Sequence, residues 1–342
     1  MSNSQFKNTL SPISRILPLE KGIPFNGKRF IFPFWHAVSD VPNSHLSQLY
    51  RVPTVSEFER DLDFLLKNFK SASIKDVLQY SQQPESLRPK LFFPTFDDGL
   101  AECFHVIAPI LKRKGVDAAF FINPSFVDNK SLFHRHKASL ILKAINENQF
   151  KPAEQREAEL LVKQEKASKN LQEFLRRAVY TDHPLLDRIA AIFGIDFNHF
   201  LASHQPYMTL AQIKELHADG FLIGAHSMDH REFFLSSEEE IYRQIIASMY
   251  FLIQKINPEL KTFAFPFTDF KVPDSVFEKA NQSKIWDLSF GTAGIKDEQI
   301  ANHIQRIPME SGNFSSAKQL IRTEYIWYYL KTILGKNKVR RQ

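Results

Sequence analysis

The chain is predicted to fold as an α/β protein, and three observations predict it. Short apolar runs alternate with amphipathic helical stretches along most of the 342 residues, the pattern of strands exchanged with covering helices. The apolar runs are of strand length. Two segments rich in Asp and His each follow such a run directly, where an α/β protein places its functional loops.

Strands are expected over 29–35 (RFIFPFW), 91–96 (LFFPTF), 118–122 (AAFFI), 221–225 (FLIGA), 262–267 (TFAFPF), 288–290 and 304–307. Helices are expected between them. Residues 56–69 open with a capping box, Ser56 followed three positions later by Glu59. Residues 101–114 read as a helix stopped by Gly115. Residues 236–256 and 315–334 also carry helical spacing. From about 128 to 206 no strand is expected, and 154–179 reads as a single charged helix with an apolar face. This stretch is read as a helical insertion. At a strand's C-terminal end it would lie over an active-site mouth.

Composition narrows the function. Hydrophobic residues make up 43% and charged residues 24%, the balance of a globular chain with a core. Phe occurs 32 times and Gly only 11 times, which points to a thick core or an aromatic-walled pocket. The net charge of +6 suits an anionic substrate or a membrane surface. Nucleic acid is not expected as a partner, because no basic helix is interleaved with stacking aromatics. The single cysteine, Cys103, excludes an intramolecular disulfide and a Cys-based zinc site. The first 22 residues have no apolar run of signal-peptide length, and no stretch of about 18 apolar residues occurs, so a cytoplasmic location is expected.

The chemistry is carried by Thr95-Phe96-Asp97-Asp98-Gly99 and His226-Ser227-Met228-Asp229-His230. Amide hydrolysis needs an activated water and a stabilised oxyanion, and a divalent metal supplies both. Two imidazoles and a carboxylate make a three-ligand site with an open position. His226 and His230 are four apart, so one turn could aim both at one ion. A second carboxylate beside the ligand could take the water's proton, given a different environment from its neighbour.

TFDDG followed by HSxDH resembles the first two motifs of the polysaccharide deacetylase family, the NodB-homology or carbohydrate esterase family 4. The resemblance covers about 29–125 and 207–310. It implies a distorted (β/α) barrel of about seven strands with a helical insertion. It also implies a divalent metal, most often zinc, held by Asp98, His226 and His230, with Asp97 as general base. Domain boundaries follow: an N-terminal extension at 1–28, a deacetylase barrel over 29–334 interrupted by the insertion 128–206, and a basic tail at 335–342.

The later motifs are altered. Phe263–Thr268 is similar to the third, a pocket wall, so Phe265, Pro266 and Phe267 are expected to contact substrate. Ala264 stands where many members have the Arg that pairs with the catalytic Asp, and Thr268 where they have Gly. Trp286 resembles the fourth motif, a wall for the acetyl methyl. In the fifth, Arg306 occupies the place of the family's acid His. Arg cannot readily donate a proton, so oxyanion or anion binding is expected of it. His303 is a second candidate acid, and His36, at the end of the first strand, is better placed as a catalytic residue.

The expected function is removal of an N-acetyl or similar acyl group from an amino sugar in a glycan or glycan precursor, by a hydrolase of carbon–nitrogen bonds other than peptide bonds. Two alternatives remain open: a catalytically impaired carbohydrate-binding protein of the same fold, and a deformylase of a lipid-linked sugar. His134, Arg135, His136, Asp182, His183, His199 and His204, in the insertion, are expected to be solvated or to contact substrate. Cys103 is expected to be a packed small residue. Tyr325 to the C-terminus combines aromatic and basic side chains, which would suit a final helix and tail or peripheral contact with an anionic membrane.

Overall fold

The computed structural model describes residues 28–83, 89–166, 170–310, 314 and 316–341. The expected N-terminal extension lies outside them, Lys28 excepted. Eleven short strands occur among the described residues: β1 (Phe30–Ile31), β2 (Pro33–Trp35), β3 (Lys70–Ser71), β4 (Leu91–Phe92), β5 (Thr95–Phe96), β6 (Ala119–Ile122), β7 (Leu222–Ala225), β8 (Thr262–Ala264), β9 (Leu288–Gly291), β10 (His303–Gln305) and β11 (Ile307–Pro308). Three expected strands are each split into two pieces, because successive halves pair with different neighbours. β1 pairs with β4, for example, while β2 pairs with β5.

Eight strands form one all-parallel sheet in the order β10-β9-β8-β7-β6-β5-β2-β11. Its two edges, β10 and β11, are consecutive in the chain and separated only by Arg306. The sheet therefore closes through a single strand that pairs with β9 by its first half and with β2 by its second. The result is a nearly closed (β/α) barrel of seven chain segments that follow one another around it in sequence order, with the short β3 added beside β4.

Side-chain alternation along the strands sorts the phenylalanines into two layers. Phe30, Phe32, Phe121, Phe290 and Ile304 fill the barrel interior. Phe96, Phe120, Phe263 and Phe265 face outward under the helices. Gly224 is the small residue this interior requires, because a Cβ there would overlap the Phe121 ring and Thr262 Oγ1.

The outer helices are α1 (Val55–Asn68), α2 (Ile74–Gln82) and α3 (Ala108–Lys114), the last preceded by a π-turn over Cys103–Ile107 and ended by left-handed Gly115. α1 starts earlier than expected. Thr54 and Glu57 make the capping box, with Thr54 Oγ1 accepting from Glu57 N at 3.2 Å. Both TVSE and SEFE satisfy the pattern, and the first frame seats Phe58, Leu62 and Leu65 in the core.

The insertion consists of α4 (His134–Asn146), α5 (Pro152–Lys166), α6 (Leu171–Arg177), α7 (His183–Ile192) and α8 (Phe197–His204) around its own core of Leu142, Leu175, Leu186, Ile189 and Phe200. The single charged helix expected over 154–179 is two helices. Asn170 caps the second, its Oδ1 accepting from Glu173 N at 2.9 Å.

The chain then continues through α9 (Leu210–Ala218), α10 (Glu238–Lys255), α11 (Asp274–Gln282) and α12 (Ala317–Ile333). Among the described residues no helix is long and apolar enough to cross a membrane.

Candidate active site

Parallel strands put all their C-terminal ends on one face of the barrel. His36 follows β2, Asp97 and Asp98 follow β5, His226 follows β7, and Arg306 joins β10 to β11. The closed sheet therefore brings residues up to 270 positions apart onto one rim.

Asp98, His226 and His230 are buried and converge, their donor atoms all within 4.8 Å of one another. Asp98 Oδ1 lies 3.1 Å from His230 Nε2 and 3.5 Å from His226 Nε2. Ligands about 2.0–2.2 Å from a tetrahedral zinc are about 3.3–3.5 Å apart, so the three fit such an ion. The tautomer of His226 fits as well. Its Nδ1 donates to Ala264 O at 2.8 Å, which leaves the Nε2 lone pair turned to Asp98. Burial lowers the His226 pKa to about 4, keeping the imidazole neutral, as a ligand must be.

The two histidines do not share a helical turn, contrary to the simplest reading of their spacing. Residues 226–230 form a loop in which Ser227 and His230 have positive φ, as does Asp98. Three non-glycine residues in this costly conformation at one site mark a backbone held by its surroundings. The holders are visible: Asn123 Nδ2 donates to the carbonyls of His226 and Ser227, and Ser227 Oγ accepts from His230 N at 3.1 Å.

Asp97 stands beside this group. Arg306 donates to both of its oxygens, Nη1 to Oδ1 at 2.7 Å and Nη2 to Oδ2 at 2.8 Å. Arg306 is fully buried over the rings of Phe34 and Phe121. Its Nε donates to Gly291 O at 3.2 Å and its Nη1 also to Thr95 Oγ1 at 3.0 Å. Burial pushes the Asp97 carboxyl up, but Arg306 and then His226 hold it below the usual range. Asp97 is thus a fixed anion next to the ligand set.

His36 forms a second charge pair. Its Nδ1 meets Glu310 Oε2, and Glu310 Oε1 accepts from His36 N at 3.0 Å. Burial alone would lower its pKa, yet Glu310, followed by Asp98 and Asp97, raises it to about 9. About a quarter of the side chain stays exposed, 24%.

Residues 188–285 match the sequence profile of the family described as polysaccharide deacetylase. Over that segment the chain is similar to the polysaccharide deacetylase family. Solved structures of this class share its fold. A Streptococcus pyogenes deacetylase, PplD, in complex with acetate, is 15% identical, with a TM-score of 0.54 over 86% of this chain and 97% of its own. IcaB from Ammonifex degensii is 16% identical, with a TM-score of 0.54 over 88% and 98%. Likeness at this identity speaks to the fold. Comparison with curated proteins gives no match. The enzyme class that this match and the shared fold support is that of a polysaccharide deacetylase.

Within this deacetylase fold, several expected site residues have other places. Phe265 and Trp286 are core residues. They pack with Phe263 and Phe277 between barrel and helices, and Trp286 Nε1 donates to Asn281 Oδ1. The alternation that points Ala264 into the barrel forces Phe265 outward. Pro266 is buried in the loop after β8. Phe267 does reach the site, its ring 4.6 Å from that of His230.

Arg306 is not a substrate contact. It supplies from β10–β11 the partner for Asp97 that the family's third motif usually provides. His303 is buried on the outer side of its strand, held by Ser289 Oγ and Asp269, and is not a proton donor to the site.

Sequence reasoning missed Glu310, whose signal was only an acid four residues after Arg306. It also missed Phe133, whose ring lies 4.5 Å from that of His230 and 6.2 Å from that of Phe267. His134 and His136 are buried rather than solvated. His134 Nε2 bonds Glu232 at 2.9 Å and His136 Nδ1 bonds Tyr207 Oη at 2.7 Å, tying the insertion to the site's loops.

Proposed function

We propose that the chain is a metal-dependent polysaccharide deacetylase that removes an N-acetyl, or a similar small acyl group, from an amino sugar of a glycan or glycan precursor. The carrying observation is the arrangement of Asp98, His226 and His230 around one point, flanked by an anion held by Arg306 and an imidazolium held by Glu310. Asp98, His226 and His230 would hold the ion, and zinc suits two imidazoles and a carboxylate. When bound it supplies Lewis acidity to the acyl carbonyl and to the attacking water.

The chain's own residues divide the remaining work. Asp97, ionised and unable to turn away from Arg306, takes the proton of the attacking water. His36, protonated below about pH 9, gives a proton to the departing sugar amine. Glu310 fixes its Nδ1, which leaves Nε2 to donate. Phe133 and Phe267 pack against His230 and keep water from the ligand. The reading of an impaired binding protein rested on the altered third and fifth motifs. Arg306 and the His36–Glu310 pair supply both roles from other positions, which favours turnover.

The substrate class is supported by the family description and by the acetate complex of PplD. The test is acyl loss, followed by mass spectrometry, across N-acetylated and N-formylated amino sugars in oligomeric, nucleotide-linked and polyprenyl-linked form. Loss from none of them, with zinc present, contradicts the proposal. Peripheral membrane contact through the tail has the exposed Lys336, Lys338 and Arg340 in its favour, but Arg341 is turned inward.

A pH profile tests the acid. Because the His36 pKa is raised, its acid form persists to about pH 9, and kcat/KM should fall only above that. Glu310→Gln removes the largest raising influence, so the alkaline fall should move toward neutrality while the metal is retained. An alkaline limb that stays in place would remove His36 from the proton-donor role.

A further inference from the structure

The C-terminal basic segment folds back onto the barrel. Val339 N donates to Asp297 O at 2.9 Å, Asp297 N donates to Asn337 O at 2.9 Å, and Val339 is buried. Arg341 then enters a buried acidic recess on the outer side of β9 and β10. Its Nη1 donates to Glu298 Oε1 at 2.8 Å, and its Nη2 to Glu298 Oε2 at 2.8 Å and Asp269 Oδ2 at 2.7 Å. The guanidinium lies over the Phe277 ring, and the side chain is 4% exposed.

The recess is built for a cation. Asp269 Oδ2 also accepts from His303 Nε2 at 3.0 Å and Gln305 Nε2 at 2.7 Å, and Oδ1 accepts from Thr292 N at 3.2 Å. A Cβ on Gly291 would lie 2.6 Å from the Asp269 carboxylate, so the strand leaves space for it. Burial would raise this carboxyl, but the bonds from His303 and Gln305 and the Arg341 charge keep it ionised. A buried and a half-buried carboxylate side by side without a counter-charge would be unfavourable.

Both ends of the recess lead to catalytic groups. Asp269 lies two residues after Phe267, which holds a positive φ of 56° and packs on His230. Thr292 Oγ1 donates to Phe267 O at 3.3 Å. A left-handed non-glycine residue persists only where its surroundings over-determine it. Gln305 faces Asp269, and the next residue, Arg306, faces the opposite side and grips Asp97.

We propose that Arg341 is a positioning residue of the deacetylase site. By neutralising Asp269 and Glu298 it fixes the loop that sets Phe267 against His230 and the strand that sets Arg306 beneath Asp97. This rests on the deacetylase reading above.

The test compares the zinc-loaded full chain with Arg341→Ala and Arg341→Lys by hydrogen exchange and steady-state kinetics. Arg341→Ala should speed amide exchange in 266–272 and 292–293 about tenfold or more, while 119–122 and 222–225 keep their protection. Its kcat should fall about tenfold or more with KM little changed, because misplacement of catalytic groups is expressed in turnover. Millimolar guanidinium ion should restore part of the kcat, and Arg341→Lys should lie between.

Unchanged exchange in 266–272, uniform loss of protection across the barrel, or an unchanged kcat overturns the proposal. If the wild-type chain turns over no acylated sugar, the deacetylase reading fails by itself, and the exchange pattern and zinc retention still decide whether Arg341 orders this loop.

Discussion

Asp97→Asn is expected to keep the metal and lose most of its turnover. A positioned general base contributes about 10²–10⁴-fold, and kcat for acetate release should fall by that amount. The geometry separates Asp97 from the ligands. Its two oxygens are taken by Arg306 at 2.7 and 2.8 Å, and its nearest approach to a ligand nitrogen is 3.8 Å, to His226. Asn fills the same volume but accepts no proton and carries no charge, so Arg306 is left as an unpaired buried cation. Breaking such a pair costs about 3–5 kcal/mol, and thermal unfolding should shift down accordingly. Activity is therefore to be measured well below the variant's unfolding temperature. Loss of zinc from Asp97→Asn, or near-normal turnover, would show that the two adjacent carboxylates have been given each other's roles.

His230→Ala is expected to lose metal and activity together. The His230 Nε2 lies 3.1 Å from Asp98 Oδ1, and its ring packs against those of Phe133 and Phe267. Changing a group that merely supports a ligand typically costs about 10–100-fold in affinity or activity, so removing the ligand itself should exceed about 100-fold in zinc affinity. Ala leaves Phe133 and Phe267 facing an empty space and does not disturb the Asp97–Arg306 pair, which belongs to other strands. The fold should therefore survive. Full turnover in a chelator-treated His230→Ala chain would end the metal reading.

The strands and the cluster of Asp98, His226 and His230 were legible because each rests on local pattern. An apolar run such as LFFPTF reads as a strand wherever it sits, and TFDDG states two carboxylates at its end. What was not legible depends on closure of the barrel. Arg306 looked like a lost acid until β10 and β11 became opposite edges of one sheet and carried it beneath Asp97. Glu310 lies 274 positions from His36, a pairing that local pattern does not contain. Phe265 and Trp286 were read as pocket walls from motif likeness, whereas the two-residue period of β8, with Ala264 inside, turns Phe265 to the helices. The 154–179 stretch kept its helical period across Asn170, whose cap divides it. The tail was read from its aromatic and basic side chains, and composition does not tell a solvated arginine from one seated between Asp269 and Glu298.

The most direct measurement is acetate release from an N-acetylated amino-sugar substrate by the chelated chain, before and after one equivalent of zinc. The account predicts that chelation abolishes release, that zinc restores it, and that neither treatment gives release in His226→Ala. Release that is indifferent to chelation and zinc, at equal protein concentration and with the chain folded throughout, would contradict it.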